Sequence, residues 1–223
     1  AILTCFYKEC NLAFKRGLES LEDSIDEETD KLFGIKAKRI SQTILLKMYR
    51  GSISSFIGGN IICAVNKNLV PSGDESKTIF SKAGEDIQEE LESLRKPGKL
   101  KTGDVIVTVA GSLFCEQVFH CVIPKKKRSL FRGKHAYKEN LTKCYSSAFQ
   151  KSSEMDISVL ALYVLGADTG YMDMHMCCSA LVDALHCLTE SSYKKSSLST
   201  LHIICRDDTL LDCLGNQMQN FLK

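Results

Sequence analysis

Cysteine and histidine are the residues of this chain that would most readily bind a metal ion. The 223 residues include 11 cysteines, and one cluster combines His175, Cys177, Cys178 and Cys187, which are residue types that coordinate zinc. Adjacent residues of a helix point about 100° apart, however, so Cys177 and Cys178 cannot easily share one ion. No Cys-x-x-Cys pair occurs in the sequence. We therefore predict no metal site.

The remaining cysteines favour core packing over disulfide bonds. The chain has an odd total of 11 cysteines, and most of them lie in apolar runs such as residues 61–65 and 201–205. Unpaired cysteine behaves as a small buried hydrophobic residue and persists as a thiol in reducing compartments. We therefore expect an intracellular protein, in the cytoplasm, the nucleus or both. Because the chain starts with Ala1 rather than Met, we also expect a piece of a larger multidomain protein.

Composition and charge exclude several classes of protein. Hydrophobic residues make up 44% and charged residues 25% of the chain, which is typical of a globular domain rather than a disordered tail or a fibre. No apolar run approaches the roughly 20 residues that span a bilayer, so we predict no membrane partner. The net charge of +2 gives no strong nucleic-acid signal. The basic cluster at residues 124–128 is either an import signal or anion-contacting patch, or a solvated loop.

The order of elements predicts an α/β fold from residue 43 onward. Residues 1–42 are expected to form a helical lead-in or the tail of a preceding domain, since residues 18–30 are acidic with helical spacing. Beyond them, strands are predicted at residues 43–49, 61–65, 105–109, 117–123, 159–165 and 200–205, and helices at residues 78–94, 137–150, 172–189 and 209–222. This alternation indicates a central sheet sandwiched between helices.

Several short motifs, taken in chain order, resemble those of the macrodomain, an ADP-ribose-binding module. Residues 61–69, for example, resemble the family motif Ile-Val-Asn-Ala-Ala-Asn-x-x-Leu, with Cys63 in place of the first Asn. The other matching segments are residues 51–54, 78–84, 102–113, 118–124 and 158–171. The chain is most similar in character to the macrodomains of the PARP/BAL-type ADP-ribosyltransferases. The resemblance implies a three-layer α/β/α macrodomain over residues 43–223, with a mixed, mainly parallel central sheet.

The resemblance also implies which residues bind a ligand. A diphosphate needs backbone N–H groups that it can approach closely, which glycine loops and helix N-termini provide. By comparison with the family, Ser52 and Ile53 lie near the adenine and Asn66 faces the distal ribose. The residues expected at the phosphates are Gly73, Gly166, Ala167, Asp168, Thr169, Gly170 and Tyr171.

The sequence departs from the family pattern at several of these positions. Ser52 replaces an adenine-contacting Asp, and the glycine loop is reduced to Gly73 followed by Asp74 and Glu75. Asp168 adds a third acid near the expected phosphates. Carboxylates in those places would repel a diphosphate. Asn66 itself has a second interpretation, as an ordinary turn residue after a strand.

These observations lead to two main hypotheses on function, with an ADP-ribosyl hydrolase as a third and weaker option, and predict no catalytic residue. Hydrolases of the family use an Asp that would fall at Ser76 here, and His120 is expected on a buried strand in a structural role. We predict non-catalytic binding of ADP-ribose or of ADP-ribosylated proteins, without a cofactor. The alternative is a pseudo-macrodomain that has lost nucleotide binding and serves as a structural module or contacts other proteins.

Overall fold

The fold is described from a computed structural model that covers residues 36–41, 43–94, 100–125, 132–170, 172–190, 197–219 and 221. The strands are β1 Lys36–Arg39, β2 Leu45–Arg50, β3 Asn60–Val65, β4 Val105–Val109, β5 Gln117–Val122, β6 Val159–Leu162 and β7 Thr200–Cys205. The helices are α1 Asp74–Ala83, α2 Glu85–Leu94, α3 Arg132–Glu154, α4 Met174–Glu190 and α5 Asp208–Met218, and a 3₁₀ turn covers Ile53–Ser55.

The seven strands form one sheet in the order β1-β2-β7-β6-β3-β5-β4. The inner pairs β2–β7, β7–β6, β6–β3 and β3–β5 are parallel, whereas the two outer pairs are antiparallel. Strand β3 is buried along its whole length, as expected for a continuous apolar run covered on both faces. The prediction of a mixed, mainly parallel sheet is confirmed.

Side chains of strand β5 show that helices cover both faces of this sheet. Successive residues of a strand point to opposite faces. His120 packs edge-on against Phe80 of α1, with ring centroids 5.6 Å apart. The sulfur of the next residue, Cys121, points instead at the carbonyl of Cys144 in α3. Helices α1 and α3 therefore lie in different layers, which gives the predicted three-layer α/β/α arrangement.

The helix predicted over residues 78–94 is in fact two helices. Gly84 lies between α1 and α2 with φ of +85°, a backbone conformation that interrupts a right-handed helix and that glycine adopts readily. Glu85 and Asp86 then occupy the first turn of α2, where carboxylates are favourable. The single-helix prediction was wrong because it followed the apolar spacing across this glycine.

Several other predicted boundaries differ from the observed ones. The strand predicted at residues 159–165 ends at Leu162, and residues 163–165 continue as buried chain outside the ladder. Helix α3 begins at Arg132 rather than at residue 137, and α5 ends at Met218 rather than at residue 222. Within the expected helical lead-in, Lys36–Arg39 is a strand paired with β2. Residues 1–35 lie outside the described part of the chain, and the boundary at residue 42 stays a prediction.

The described helices lack a membrane span, and the described cysteines are unpaired. None of the helices in the described ranges combines the length and the apolar character that crossing a bilayer requires. Nine cysteines are described, all as free thiols, and Cys187 alone among them is exposed.

One buried hydroxyl fixes the chain that leaves β6. The backbone N–H of Leu165 donates to Tyr145 Oη of α3 at 2.6 Å, and both residues are fully buried. The segment after β6 lies outside the sheet ladder, so this contact replaces a hydrogen bond that a neighbouring strand would otherwise provide. Tyr145 therefore positions the start of the loop that follows β6.

We expect Tyr145→Phe to lower the free energy of unfolding by about 1–3 kcal/mol, because it leaves the Leu165 N–H buried without an acceptor. Urea denaturation measures this change. Tyr49→Phe is the matched control, since the half-buried Tyr49 hydroxyl contacts His202 Nδ1 at 3.2 Å where water can take its place. A loss no larger for Tyr145→Phe than for this control would contradict the assignment.

Candidate ligand-binding site

The carboxyl ends of five parallel strands meet at one end of the sheet. The loops that follow β2, β3, β5, β6 and β7 all begin there, because these strands are mutually parallel. Clefts at this end of parallel sheets are common ligand sites. The predicted residues Ser52, Asn66, Gly73 and Asp168 belong to three of these loops. These four residues therefore lie at the same end of the sheet.

The N-terminus of helix α1 is occupied by a carboxylate from the loop after β6. Asp168 Oδ2 accepts a hydrogen bond from the backbone N–H of Glu75 at 2.8 Å. Gly73, at the N-cap of α1, has φ of +103° and gives no side-chain cap to the helix. A Cβ added at Gly73 would overlap both carboxylate oxygens of Asp168. The absence of a side chain at Gly73 is therefore what allows Asp168 to reach the helix N-terminus.

Beside this contact there is a small cavity. Its lining includes Glu75, Tyr163, Ala167, Asp168 and Arg206. The cavity offers about 20 Å³, which is room for only one or two water molecules. Of the predicted site residues, Ala167 and Asp168 line it, whereas Ser52, Ile53 and Asn66 do not. The space beside Asp168 at this end of the sheet is therefore small.

Three carboxylates crowd the N-terminus of α1. Burial raises the pKa of Asp168, and burial together with the nearby Asp168 raises the pKa of Glu75. Asp74 is exposed and its pKa is lowered by a 2.9 Å contact with Lys77. Asp168 Oδ1 is buried without a hydrogen-bond partner among the described residues. The site is thus acidic at the position where the resemblance implies a diphosphate.

Tyr163 organises the interior of the site. Its hydroxyl accepts from the backbone N–H of Ala64 at 3.0 Å and lies 2.7 Å from Ser76 Oγ. Ser76 Oγ in turn donates to the carbonyl of Ser72 at 3.1 Å, so the Tyr163 hydroxyl donates to Ser76. Burial raises the pKa of Tyr163 far above its usual range. Ser76 is therefore fully engaged in joining β3, β6 and α1.

Asn66 holds its own loop in place. It is exposed, and its Oδ1 accepts from the backbone N–H groups of Asn68 at 2.8 Å and Val70 at 3.2 Å. This is the local side-chain-to-backbone pattern of a turn asparagine. The interpretation of Asn66 as a turn residue is confirmed for its oxygen, and a role at a ribose stays a prediction for its amide group.

The expected adenine residues form a short turn after β2. Ser52 is exposed, with its Oγ 2.9 Å from Ser54 Oγ. Ile53 begins the 3₁₀ turn and is buried. A buried Ile53 side chain leaves only its backbone for contact with a ligand, and Ser52 offers a hydroxyl already engaged with a neighbour. Their proximity to an adenine stays a prediction.

The loop after β6 is closed on itself by Thr169. Both its hydroxyl, at 2.7 Å, and its backbone N–H, at 3.2 Å, donate to the carbonyl of Gly166. Gly166 is buried, Ala167 to Thr169 are half-buried, and Gly170 is exposed with open space around it. Tyr171 lies outside the described residues. The loop places the side chain of Asp168 inward, which the sequence alone did not indicate.

Two further residues of the site were not predicted. Arg206 and Asp207 follow β7 directly and line the same cavity, and Asp207 caps α5 by accepting from the N–H of Leu210 at 2.8 Å. The signal that would have found them is their place at the carboxyl end of a predicted parallel strand. The positive charge of Arg206 opposes the rise that burial causes in the pKa of Asp168 and Glu75, and it adds to the lowering of the Asp74 pKa by Lys77. Arg206 therefore partly balances the acids.

Comparisons with known proteins agree with this architecture. The sequence profile of the Macro domain matches residues 62–181, more than half of the chain. The chain belongs to the macrodomain family. The resemblance inferred from the short motifs is confirmed.

Two mammalian relatives are distant and much longer than this macrodomain. It is 27% identical over 154 residues to ganglioside-induced differentiation-associated protein 2 of Bos taurus, covering 69% of the chain and 29% of the relative. It is 19% identical over 185 residues to protein mono-ADP-ribosyltransferase PARP9 of Mus musculus, covering 80% of the chain and 21% of the relative. The chain thus spans less than a third of either relative.

A solved structure shares the fold. A macrodomain variant of Oceanobacillus iheyensis, solved with ADPR, superposes with a TM-score of 0.73 at 16% identity, covering 83% of this chain and 97% of that one. At this level of identity the match concerns the fold alone.

The cysteines of this macrodomain do not form a metal centre in the described part of the chain. No group of three or more His, Cys, Asp or Glu side chains there is arranged to hold a metal ion. Of the cluster considered in the sequence, Cys177 and Cys178 are buried, Cys187 is exposed, and His175 Nδ1 contacts Cys213 at 3.6 Å instead. Cys63 is fully buried in β3, and burial raises the pKa of its thiol.

His120 is a neutral core residue. It is fully buried, and its Nε2 lies 2.8 Å from Thr108 Oγ1, which itself donates to the carbonyl of Val109. Nε2 therefore carries the proton, and Nδ1 has no hydrogen-bond partner among the described residues. Burial lowers the pKa of His120 to about 3. The predicted structural role agrees with this environment.

This histidine makes the macrodomain less stable in acid. The unfolded chain binds a proton at His120 below about pH 6.5 while the folded chain does not. His120 therefore does not affect the free energy of unfolding above that pH. As the pH falls from there toward about 3, protonation of His120 in the unfolded chain lowers the free energy of unfolding progressively. Comparing the free energies of unfolding at pH 7 and pH 5, we expect His120→Gln to reduce the acid-induced loss by about 2 kcal/mol. Equal losses in the variant and the wild type would contradict this assignment.

The contact between Gly73 and Asp168 can be tested through stability alone. In the wild type, we expect Gly73→Ala to cost more than the ~1–3 kcal/mol of holding alanine in a backbone conformation that only glycine adopts readily, because its Cβ also overlaps the Asp168 carboxylate. In an Asp168→Gly background only the backbone cost remains. The double-mutant cycle, measured by urea unfolding, should therefore give a coupling of about 1 kcal/mol or more. Equal costs of Gly73→Ala in the two backgrounds would contradict the contact.

Proposed function

We propose that this chain is a non-catalytic macrodomain that binds ADP-ribose, either free or attached to another protein. The observation that carries the proposal is the 2.8 Å hydrogen bond from Glu75 N–H to the Asp168 carboxylate. A backbone that binds a carboxylate oxygen at the N-terminus of a helix also has the donors and the dipole direction that a phosphate requires. The anion-binding backbone is therefore retained, although one of the chain's own side chains occupies it.

The family assignment supports this choice of ligand. Macrodomains are known for binding ADP-ribose, and the Oceanobacillus iheyensis macrodomain variant was solved with ADPR. The Asn66 amide nitrogen donates no hydrogen bond within the described part of the chain, which leaves it available to a ribose hydroxyl. Because the chain spans under a third of its mammalian relatives, partner proteins and any activity of a longer polypeptide belong to the proposal as well.

The groups near the site support binding without hydrolysis. Ser76, at the position where family hydrolases have an Asp, is buried and hydrogen-bonded at both ends of its hydroxyl. His120 is buried in the core and neutral. Asp74, two residues before Ser76, is paired with Lys77 at the surface. A general base must reach a water beside the bond that breaks. The burial of Ser76 and His120 and the ion pair of Asp74 with Lys77 therefore support binding without hydrolysis.

The second candidate function is that of an interaction module that binds no nucleotide. It is favoured by the cavity of about 20 Å³, since a dinucleotide-sized ligand needs a pocket of several hundred Å³. In this alternative Asp168 closes the site permanently, and the surface of the domain contacts other proteins.

Calorimetric titration with ADP-ribose separates the two candidates. For the binding function we expect saturable heat with a Kd of about 100 μM, equivalent to about −5.5 kcal/mol. We expect no release of ADP-ribose from a modified protein in the same buffer.

Gly170→Val should abolish binding, because Gly170 belongs to the loop expected at the phosphates and a side chain there would obstruct the ligand. The new side chain meets no protein atom within 4 Å, so the cost to the fold is limited to the strain of valine at φ of +66°. Circular dichroism checks that this variant is folded. No heat at about 10 mM ADP-ribose, a concentration equivalent to only about −2.7 kcal/mol, would favour the interaction module. Release of ADP-ribose would contradict the non-catalytic assignment.

A further inference from the structure

We infer that Asp168 is an intramolecular ligand of this site, which determines specificity by holding the diphosphate position at the N-terminus of α1 until a phosphate-bearing ligand displaces it. The inference rests on the proposed function and assigns the residue that regulates it. Sequence comparison with the family marks Asp168 only as an acid that repels phosphate, whereas the structure shows it bound.

The geometry shows that the carboxylate takes the place of an anion. Asp168 Oδ2 is within hydrogen-bond distance of Glu75 N–H, which lies 93 residues away in sequence. The N-cap residue of α1 contributes no side-chain hydrogen bond, so this helix terminus depends on an acceptor from elsewhere. Gly73 gives the carboxylate its access, because any Cβ there would overlap it. Asp168 and Gly73 together form a fitted contact.

Phosphate and Asp168 cannot occupy this position together. One backbone N–H cannot serve two anions at full strength, and like charges in a partly buried site repel. Glu75 and Asp74 add negative charge beside the same helix terminus, which Arg206 offsets only in part and which Lys77 offsets at Asp74. Binding of a diphosphate therefore requires that the Asp168 carboxylate leave.

The loop around Asp168 is built so that it can leave. Gly166 and Gly170 stand two residues to either side, with φ of +86° and +66°. Glycine changes its backbone conformation at low cost, and a few such residues can act as the hinges of a moving loop. Nothing lies within 4 Å of the position of a Cβ at Gly170, and Asp168 Oδ1 has no hydrogen-bond partner among the described residues that would retain it. The hydrogen bond from Glu75 N–H is the contact with α1 that has to break.

Removal of the Asp168 carboxylate should raise the affinity for ADP-ribose. We expect Asp168→Gly to bind ADP-ribose at least about tenfold more tightly than the wild type, because a charged hydrogen bond no longer has to be replaced. Asp168→Asn keeps an acceptor for Glu75 N–H without the charge, so it should be folded like the wild type and show an intermediate gain. The matched control is Asp74→Asn, which removes one negative charge from the same helix terminus but leaves the Asp168 carboxylate in place. The affinity of this variant for ADP-ribose should stay within about threefold of that of the wild type.

Adenosine distinguishes competition with phosphate from general opening of the pocket. Since adenosine carries no phosphate, its affinity should be equal for the wild type and Asp168→Gly. An equal gain for adenosine and ADP-ribose would overturn the inference. In amide NMR spectra the Glu75 N–H signal of Asp168→Gly should shift when inorganic pyrophosphate is added, and an unmoved signal at saturation would overturn it as well.

The calorimetric outcomes keep the inference separate from the proposed function. Equal ADP-ribose affinity in the wild type and Asp168→Gly overturns the inference and leaves the proposed function standing. Binding by Asp168→Gly alone supports the inference and overturns ADP-ribose binding as the function of the wild type. Absence of binding by both proteins overturns both.

Discussion

The N-terminus of α1 needs hydrogen-bond acceptors that the helix cannot supply itself. The first N–H groups of any helix lack partners within it, and the usual source is the side chain of the N-cap residue. Here the N-cap is Gly73, which has no side chain. An acceptor must come from outside the helix, either from a bound anion or from another part of the chain. Asp168 provides it in this structure.

The positions of the surrounding elements follow from this requirement. Asp168 can reach Glu75 only if the chain after β6 passes close to α1. Tyr145 fixes the start of that chain through Leu165 N–H, and Tyr163 links it to β3 and α1 through Ala64 and Ser76. All of these groups are buried, where each unmet hydrogen bond is costly. Tyr145 and Tyr163 thus set how closely the loop after β6 approaches α1.

The sequence predicted the fold far better than it predicted the contacts of the site. Buried strands such as 61–65 and 200–205 are identified by local apolar runs, and the order of short motifs identified the family. Gly84 was passed over because apolar spacing continues across it, although a glycine followed by Glu85 and Asp86 is a recognisable helix start. Asn66 was open to two interpretations, and the turn it forms is a local feature. The bond between Asp168 and Glu75 joins residues 93 positions apart, and no local pattern encodes it.

The acids at this site therefore have a different meaning from the one that their charges suggest. Charge alone makes Asp168 a sign that anion binding is lost, yet its carboxylate is held by the same kind of backbone donor that a phosphate uses. An anion site that is filled by a side chain of the protein differs thermodynamically from one that has been lost. If the site exchanges between a state closed by Asp168 and an open state, the apparent affinity for a phosphate ligand equals the intrinsic affinity multiplied by the open fraction. A site with a weak apparent affinity can then retain its intrinsic affinity for a phosphate ligand. The strength of the hydrogen bond between Asp168 and Glu75 N–H sets the ratio of the two affinities.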